Sequence, residues 1–367
     1  MTLTTRRFSL GMDRFSGLYL WALFIIVFGI WTPDIFLSMS TVHSIASAQA
    51  IIAMLALAAM IPLCSGTFDL SVGANINLAT ILVVQLQTVQ HMNMWASIVI
   101  TVATSTLIGA VNGFVVVVLK VQSLIVTLGM ATIIGALMVI VTNGSQPLPP
   151  TSEAWTNLTQ RTVFGFQIVI VYMIVLALVV WWVLEHTPAG RYLFAIGGNA
   201  EAARLAGVQV GKWVWLSLIG SGFITGVAGV LYASLTGPSL TFGGALLLPA
   251  FAAVFLGSTQ LVGRFNVLGT IIAIYALATG VKGLQLVTGE VWINSLMSGV
   301  ALIGAVAFAG WRQRAVAQRP AASTVSVEPR ADDRRGASSP IITPSTESYA
   351  PLEQATTSET VPDRRSR

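Results

Sequence analysis

The sequence predicts an all-α polytopic membrane protein with about ten transmembrane helices, on the basis of three observations. Hydrophobic residues make up 55% of the 367 residues and charged residues only 9%. A water-soluble domain carries about 25% charged residues, so much of this surface must face lipid. Apolar windows of bilayer-spanning length recur along the chain, and basic residues concentrate in alternate loops. Because backbone amides have no water partners in lipid, each window is expected to be helical.

The apolar windows divide the chain into three parts. We predict a cytoplasmic N-terminal segment at 1–16, a transmembrane domain at 17–310 and a disordered cytoplasmic tail at 311–367. The tail prediction follows from its Ser, Thr, Pro and charged residues, which offer too little apolar surface to offset the entropy lost on ordering. The ten predicted spans are 17–36, 44–63, 72–89, 95–119, 122–141, 164–184, 213–235, 245–258, 266–284 and 292–310.

Basic residues give the predicted orientation. If the N-terminus is cytoplasmic, the outer segments hold Arg161, and Lys282 lies near an outer helix end. An excess of basic residues marks the cytoplasmic side, and an even number of spans returns the C-terminus to that side. We therefore expect a multi-pass protein of the cell membrane, plasma or inner, with both termini in the cytoplasm. The inner segments hold Arg6, Arg7, Arg14, Lys120, Arg191, Arg204, Lys212, Arg264, Arg312 and Arg314.

Polar residues interrupt the third and fourth predicted spans. Uncharged amides suit the hydroxyl groups of a solute, but they also form hydrogen bonds between helices in lipid. Both interpretations remain open from the sequence, and in either case the side chains should face the protein interior. The candidates for the translocation path are Asn75, Asn77, Gln85, Gln87 and Asn112.

The long inner loop, about 185–212, has the sequence features of a short helix. Asn199 can cap a helix start, Glu201 suits the first turn, and Gly207 is a suitable stop. A helix of about two turns is marginal in water, so it requires a surface to pack on. That surface is either a partner protein or the membrane. The residues of interest are Gly198, Asn199, Glu201, Ala202, Ala203, Arg204 and Gly207.

A second cytoplasmic turn precedes the third span and contains Gly66, Asp69, Leu70, Ser71 and Gly73. A similar Gly-x-Phe-Asn sequence at 263–269 precedes the ninth span. The similarity indicates either a weak internal repeat, as in many transporters, or a chance likeness between two glycine-rich turns.

Together these motifs resemble the ribose/xylose-type ABC sugar permeases over about 45–310. The inner loop is similar to that family's cytoplasmic coupling loop, and 66–73 resembles its Gly-Gly-Ile-Asp-Leu-Ser-Val-Gly turn. Asn112-Gly113 and Thr127-Leu128-Gly129 also fit its pattern. The chain departs from it at Thr67 and Phe68, which leaves the particular sugar open.

The resemblance implies a permease subunit that imports a sugar or sugar-like solute, with partners on other chains. These are an ABC ATPase docking on 198–207, an extracytoplasmic solute-binding protein, and a second permease copy in a homodimer or paired heterodimer. ATP and magnesium are expected on the ATPase and no cofactor on this chain. Consistently, the nearest approach to a P-loop, Gly207 to Trp213, is one residue short and ends in Trp where Ser or Thr must bind magnesium.

Other function classes have weaker support in the sequence. A secondary transporter usually needs acids deep in the bilayer, and here the acids fall in loops or at span ends. A membrane enzyme needs a catalytic or metal-ligating constellation, and the widely separated His43, His91 and His186 provide no such spacing. We therefore predict no catalytic residue and no metal site. The formal charge of +5 belongs to the hydrophobic part, so we expect contact with the lipid bilayer and none with nucleic acid.

Overall fold

A computed structural model describes residues 12–259, 264–290 and 292–317. Within these ranges the chain forms fourteen α-helices and one small antiparallel hairpin. The elements are α1 (Met12–Trp31), α2 (Pro33–Phe36), α3 (Met39–Cys64), α4 (Val72–Thr88), α5 (Met94–Val117), α6 (Ser123–Thr142), α7 (Glu153–Gln160), β1 (Thr162–Val163), β2 (Phe166–Gln167), α8 (Val169–His186), α9 (Pro188–Gly198), α10 (Ala200–Leu205), α11 (Val210–Thr236), α12 (Phe242–Ser258), α13 (Val267–Thr288) and α14 (Ile293–Ala317).

The helices confirm the all-α polytopic architecture. Six of those described, α3, α5, α6, α8, α11 and α13, are long and apolar enough to cross a membrane. Shorter apolar helical segments lie at the other four predicted positions: Gly17–Trp31, Val72–Thr88, Phe242–Ser258 and Ile293–Gly304. The number of ten spans therefore stays a prediction.

The connecting segments are more ordered than the sequence suggested. The outer segment between the predicted spans 122–141 and 164–184 contains α7 and β1, and α7 buries Trp155 against Val83 and Val230. β2 lies at the start of the predicted span 164–184, so the helix of that span begins later than predicted, with α8 at Val169. α14 continues to Ala317, past the predicted tail boundary at 311. The remainder of the predicted tail, 318–367, and residues 1–11 of the N-terminal segment lie outside the described residues.

Helix α3 forms the centre of the core. Every residue from Ala53 to Met60 is buried, so lipid does not reach this part of the helix. Its neighbours are α8, α11, α12 and α13. Alanines at 53, 56, 58 and 59 leave room for those helices to approach closely.

One of the closest and most extensive helix crossings joins α5 to α11. A Cβ added at Gly109 would lie 2.3 Å from the Leu218 carbonyl oxygen, and one at Gly222 would lie 2.5 Å from that of Ser105. Glycine at these two positions thus allows the two helix backbones to approach closely. This crossing holds the polar residues of α4, α5 and α11 at fixed positions relative to one another.

Candidate coupling and translocation sites

The inner loop folds into two consecutive helices, α9 and α10. The predicted short helix is α10, and Asn199 caps it by accepting a hydrogen bond from the Ala202 amide at 3.0 Å. Gly207 ends the element in the left-handed region, with φ of +83°. α9 was not predicted from the sequence, although Pro188 at its first turn is a typical helix start.

Helix α10 has one buried and one exposed face. Ala203 is buried against Ile196, Val214 and Leu218, so it anchors α10 to the rest of the protein. On the other side, Leu205 is 89% exposed. The remaining inner-loop candidates are also exposed: Gly198, Asn199, Glu201, Ala202, Arg204 and Gly207.

Charge on the exposed face of α10 is balanced. Glu201 and Arg204 form an ion pair at 3.2 Å with both side chains largely in solvent. Such a pair contributes little to stability, so the two groups remain free to exchange partners. The face therefore offers polar groups around an exposed leucine and small residues, which suits contact with another protein.

The α9 helix touches the turn that follows α3. A Cβ added at Gly197 would lie 2.3 Å from the Cys64 carbonyl oxygen, so only glycine permits this approach. Gly66, in the facing turn, has φ of +75°. The inner loop is thus in backbone contact with the segment that leads into α4. This contact was not predicted, and the sequence signal that could have indicated it is the glycine at position 197.

A buried polar junction lies just beyond that turn, and we define it as Asp69, Ser71, Asn112 and Ser221. The Asp69 carboxylate accepts hydrogen bonds from the Ser71 amide (3.1 Å), the Ser71 hydroxyl (2.6 Å) and the Ser221 hydroxyl (2.7 Å). The Asn112 amide donates to the Ser71 hydroxyl at 2.9 Å. The polar junction therefore ties the turn before α4 to both α5 and α11.

Asp69 is the buried acid of this junction, with 1% of its surface exposed. Desolvation raises the pKa of its carboxyl, and the hydrogen bonds from Ser71 and Ser221 oppose that shift. Asp69 and Ser71 both belong to the turn motif recognised in the sequence, whereas Ser221 was not predicted to be a partner of Asp69. Nothing in the spacing of the α11 residues indicated that contact.

The other residues of the turn motif have structural contacts of their own. Leu70 is half-buried and packs against the central core. A Cβ added at Gly73 would lie 3.0 Å from the Gly243 carbonyl oxygen, so α4 and α12 approach closely there. These contacts hold the start of α4 against the core.

The three asparagines proposed for the translocation path are buried inside the chain. Asn75 donates to the Ser105 carbonyl at 3.3 Å, and Asn112 belongs to the polar junction. Asn77 donates to the Leu240 carbonyl (3.1 Å) and accepts from the Gly243 amide (2.6 Å). These bonds join α4 and α5 to neighbouring segments, which favours the interhelical interpretation for all three.

The two glutamines differ from the asparagines because they are only partly buried. Gln85 donates to the Val141 carbonyl of α6 at 3.3 Å. Gln87 donates to the Val83 carbonyl of its own helix at 3.0 Å and borders a cleft beside Pro147–Pro150. The structure does not bring either glutamine together with the asparagines in one site.

An ion pair missed by the sequence analysis connects the inner loop to the segment before α13. Arg264 donates to the Glu185 carboxylate at the end of α8, and its guanidinium lies 4.5 Å from the Phe194 ring of α9. Asn266, close by, caps α13 by accepting from the Gly269 amide. The inner loop is therefore held from two sides, by the turn after α3 and by Arg264.

Among the described residues, no group of three or more His, Cys, Asp or Glu side chains could hold a metal ion. The arrangement described above is one of packing contacts, buried hydrogen bonds and an exposed helical surface. These contacts connect the inner loop to the turn before α4 and, through the polar junction, to α5 and α11.

Comparisons with known proteins agree on the kind of protein. The ribose import permease protein RbsC of Haemophilus influenzae is 29% identical over 65% of this chain and 75% of its own length. The autoinducer 2 import system permease protein LsrC of Enterobacter sp. strain 638 is 29% identical over 77% of this chain and 82% of its own length. RbsC of Escherichia coli K12 is 28% identical over 74% of this chain and 86% of its own length. No solved structure matches the chain significantly.

These relatives confirm the resemblance to ABC sugar permeases drawn from the motifs. They are permease subunits rather than enzymes, and the family to which they point implies an ATPase and a binding protein as partners. The family described as branched-chain amino acid transport system / permease component matches residues 41–306, which is most of the chain. The chain belongs to this family of membrane permease components.

Proposed function

We propose that this chain is the membrane-spanning permease subunit of an ABC importer that moves a sugar or sugar-like solute into the cytoplasm. A separate ATPase supplies the energy, with ATP and magnesium bound on that chain. The observation that carries the proposal is the α9–α10 pair, which presents an exposed face and touches the turn leading into the membrane helices. Family membership supplies the transport class, and the names of the relatives favour a sugar over an amino acid.

The proposal places the ATPase on the exposed face of α10. Docking there would push on α9, and Gly197 would pass the displacement to the turn at Cys64–Gly66. The hydrogen bonds of the polar junction would carry the displacement from that turn to Asn112 of α5 and Ser221 of α11. Nucleotide-driven movement of the partner would in this way reach the transmembrane helices through direct contacts.

Two further features complete the proposed assembly. A second permease copy, identical or homologous, would share one solute pathway, and a solute-binding protein would deliver solute on the outer side. Both termini would be cytoplasmic, which places α9 and α10 on the ATPase side and α7 on the side of the binding protein. Gln85 and Gln87 remain the amide candidates for contact with the solute.

Pull-down of the tagged chain from its native membranes tests this function. We expect an ABC ATPase and a solute-binding protein to co-purify with the wild-type chain. Ala202→Glu, on the exposed face of α10, should lose the ATPase, whereas Ala202→Ser should keep it. Normal ATPase recovery with Ala202→Glu would argue for the alternative in which α10 lies on the membrane surface.

Reconstitution of the recovered complex in liposomes tests the solute class. ATP-dependent uptake of labelled sugars, tested with both neutral and acidic members of that class, should exceed uptake of labelled leucine. Preference for leucine would contradict the sugar assignment while leaving the permease assignment in place.

A further inference from the structure

A cavity of about 230 Å³ opens between α3, α12, α13 and α14. The cavity-lining residues of α13 recur every three or four positions between 274 and 285, so they form one stripe along the helix. The opposite face of α13 is occupied by α1, because Gly280 and Gly283 lie against the rings of Phe24 and Phe28. The stripe is therefore turned toward the cavity.

Polar and apolar residues are segregated within the cavity. Lys282 lies six residues before the end of α13, about 9 Å along the helix axis. The apolar floor, which includes Ile52, Pro249 and Ile274, lies farther from the helix ends. The polar lining residues cluster near the start of α3, the end of α13 and the start of α14: Ser44, Gln49, Lys282, Gln285, Asn294 and Ser298. In the proposed orientation this polar end is the outer one.

The most polar groups of the cavity are unpaired as far as the described residues show. Within the described part of the chain, the Lys282 ammonium group and the side-chain amides of Gln49, Gln285 and Asn294 form no hydrogen bond or ion pair. The described lining also contains no carboxylate that could balance the charge of Lys282. An ionisable side chain within a transmembrane helix normally pairs with a counter-charge or faces a functional pathway.

We propose that this cavity is the outer vestibule of the solute path, and that it binds a small hydroxylated solute carrying a carboxylate or a phosphate. Lys282 pairs with the anionic group, and the amides of Gln49, Gln285 and Asn294 exchange hydrogen bonds with the hydroxyls. A neutral sugar would leave the Lys282 ammonium without a counter-charge, whereas an acidic sugar supplies one. This inference rests on the proposed transport function and specifies its solute class.

Two alternative roles for the cavity lead to different expectations. In the first, Lys282 only extends toward the outer headgroup region, and the cavity needs no specific ligand. In the second, the cavity binds a neutral solute. A neutral monosaccharide needs the amides but not the positive charge. Both differ from an acidic solute in how binding responds to the loss of Lys282.

Cysteine protection in reconstituted membranes distinguishes these occupants. Ser44→Cys, exposed at the rim of the cavity, is introduced into a Cys64→Ser background and modified with methanethiosulfonate reagents of either charge. The quantity compared is the ratio of the modification rate with the negative reagent to the rate with the positive reagent. Because Lys282 concentrates anions, this ratio should be about tenfold higher at Ser44→Cys than at a Thr151→Cys control on the outer loop. Gluconate, ribose 5-phosphate and ribose are then compared as protecting probes.

We expect gluconate or ribose 5-phosphate, but not ribose, to slow the modification of Ser44→Cys. Whichever of the two anions protects better identifies the carboxylate or the phosphate as the preferred group. Lys282→Gln should abolish both the protection and the reagent preference, and Lys282→Arg should retain them.

Three results would overturn the inference. Equal protection by ribose would assign a neutral solute, and protection that survives Lys282→Gln would remove the role of Lys282. A lack of protection by any probe would mean that Lys282 extends toward the lipid headgroups and binds no solute. The ATPase pull-down is independent of these measurements, so a normal pull-down with no protection rejects this inference alone.

Discussion

At the residue scale, Asp69 is the side chain whose environment differs most from what the sequence suggests. In the chain it stands in a glycine-rich turn that could be exposed, but it is buried and bonded to three donors from Ser71 and Ser221. Among the described residues, Asp69 forms no ion pair with a cationic side chain. The junction therefore depends on hydrogen bonds rather than on an ion pair.

Replacement of Asp69 tests the importance of these bonds. Asp69→Ala leaves buried donors without acceptors and should destabilise the protein by about 1–3 kcal/mol. Asp69→Asn keeps an acceptor for Ser71 and should cost less, because the Ser221 hydroxyl can rotate to accept from the new amide. Thermal unfolding of the two variants in detergent measures the difference. Equal losses in both variants would mean that the negative charge, not the hydrogen bonding, stabilises the turn.

The dependence of stability on pH gives a second prediction for Asp69. Burial raises the pKa of the folded carboxyl, so the folded state binds its proton more tightly than the unfolded chain does. The resulting stabilisation is fully present below the unfolded pKa and is lost as pH rises through the folded pKa. Asp69→Asn should flatten this part of the profile. An unchanged profile in thermal unfolding from acid to neutral pH would contradict the prediction.

At the element scale, α9 and α10 act as a pair whose position depends on glycine. Gly197 and Gly198 are adjacent, but only a Cβ at Gly197 would strike the Cys64 carbonyl; at Gly198 there is open space within 4 Å. The two positions provide a matched test of the contact between the inner loop and the turn after α3.

Gly197→Ala should displace α9 from the turn, at a cost of about 1–3 kcal/mol typical of overpacking. Gly198→Ala should be close to wild type. In the proposed importer, Gly197→Ala should retain the ATPase in the pull-down but reduce uptake per ATP hydrolysed. Wild-type coupling in Gly197→Ala would show that force does not pass through this contact.

The cap of α10 can be tested separately. Asn199→Ala removes the acceptor for the Ala202 amide and should lower the stability of α10 by about 1 kcal/mol. Asn199→Asp restores an acceptor and serves as the control. Recovery of the ATPase should fall with Ala and be kept with Asp. A matching fall in both variants would assign the effect to the lost amide group instead of the cap.

At the scale of the whole molecule, a described helix lies at each of the ten predicted positions in order, although the predicted span 17–36 is divided between α1 and α2 and the predicted span 164–184 begins with β2. Four of the ten are shorter apolar segments, so length and hydropathy alone do not establish that they cross. Accessibility from the two sides of the membrane decides this question.

Single-cysteine labelling in the Cys64→Ser background measures that accessibility. Thr151→Cys, which precedes the cap of α7, should react with an impermeant reagent from outside intact cells. Ala206→Cys, at the exposed end of α10, should react only after the cells are opened. Labelling of both positions from the same side would exclude the proposed topology, because an odd number of spans separates them in it.

The sequence by itself determined the class of protein, the positions of the membrane helices and the capped helix of the inner loop. Hydropathy, basic-residue asymmetry and the Asn199–Gly207 pattern act locally, so they can be recognised without knowledge of the fold. The tertiary structure decided which polar residues meet. Asp69 and Ser221 are 152 positions apart, and Lys282 shares its cavity with Gln49 and Asn294 from two other helices. Such contacts depend on how the helices cross and rotate about their axes, which is set by the packing of glycines such as Gly109 and Gly222 and not by local sequence.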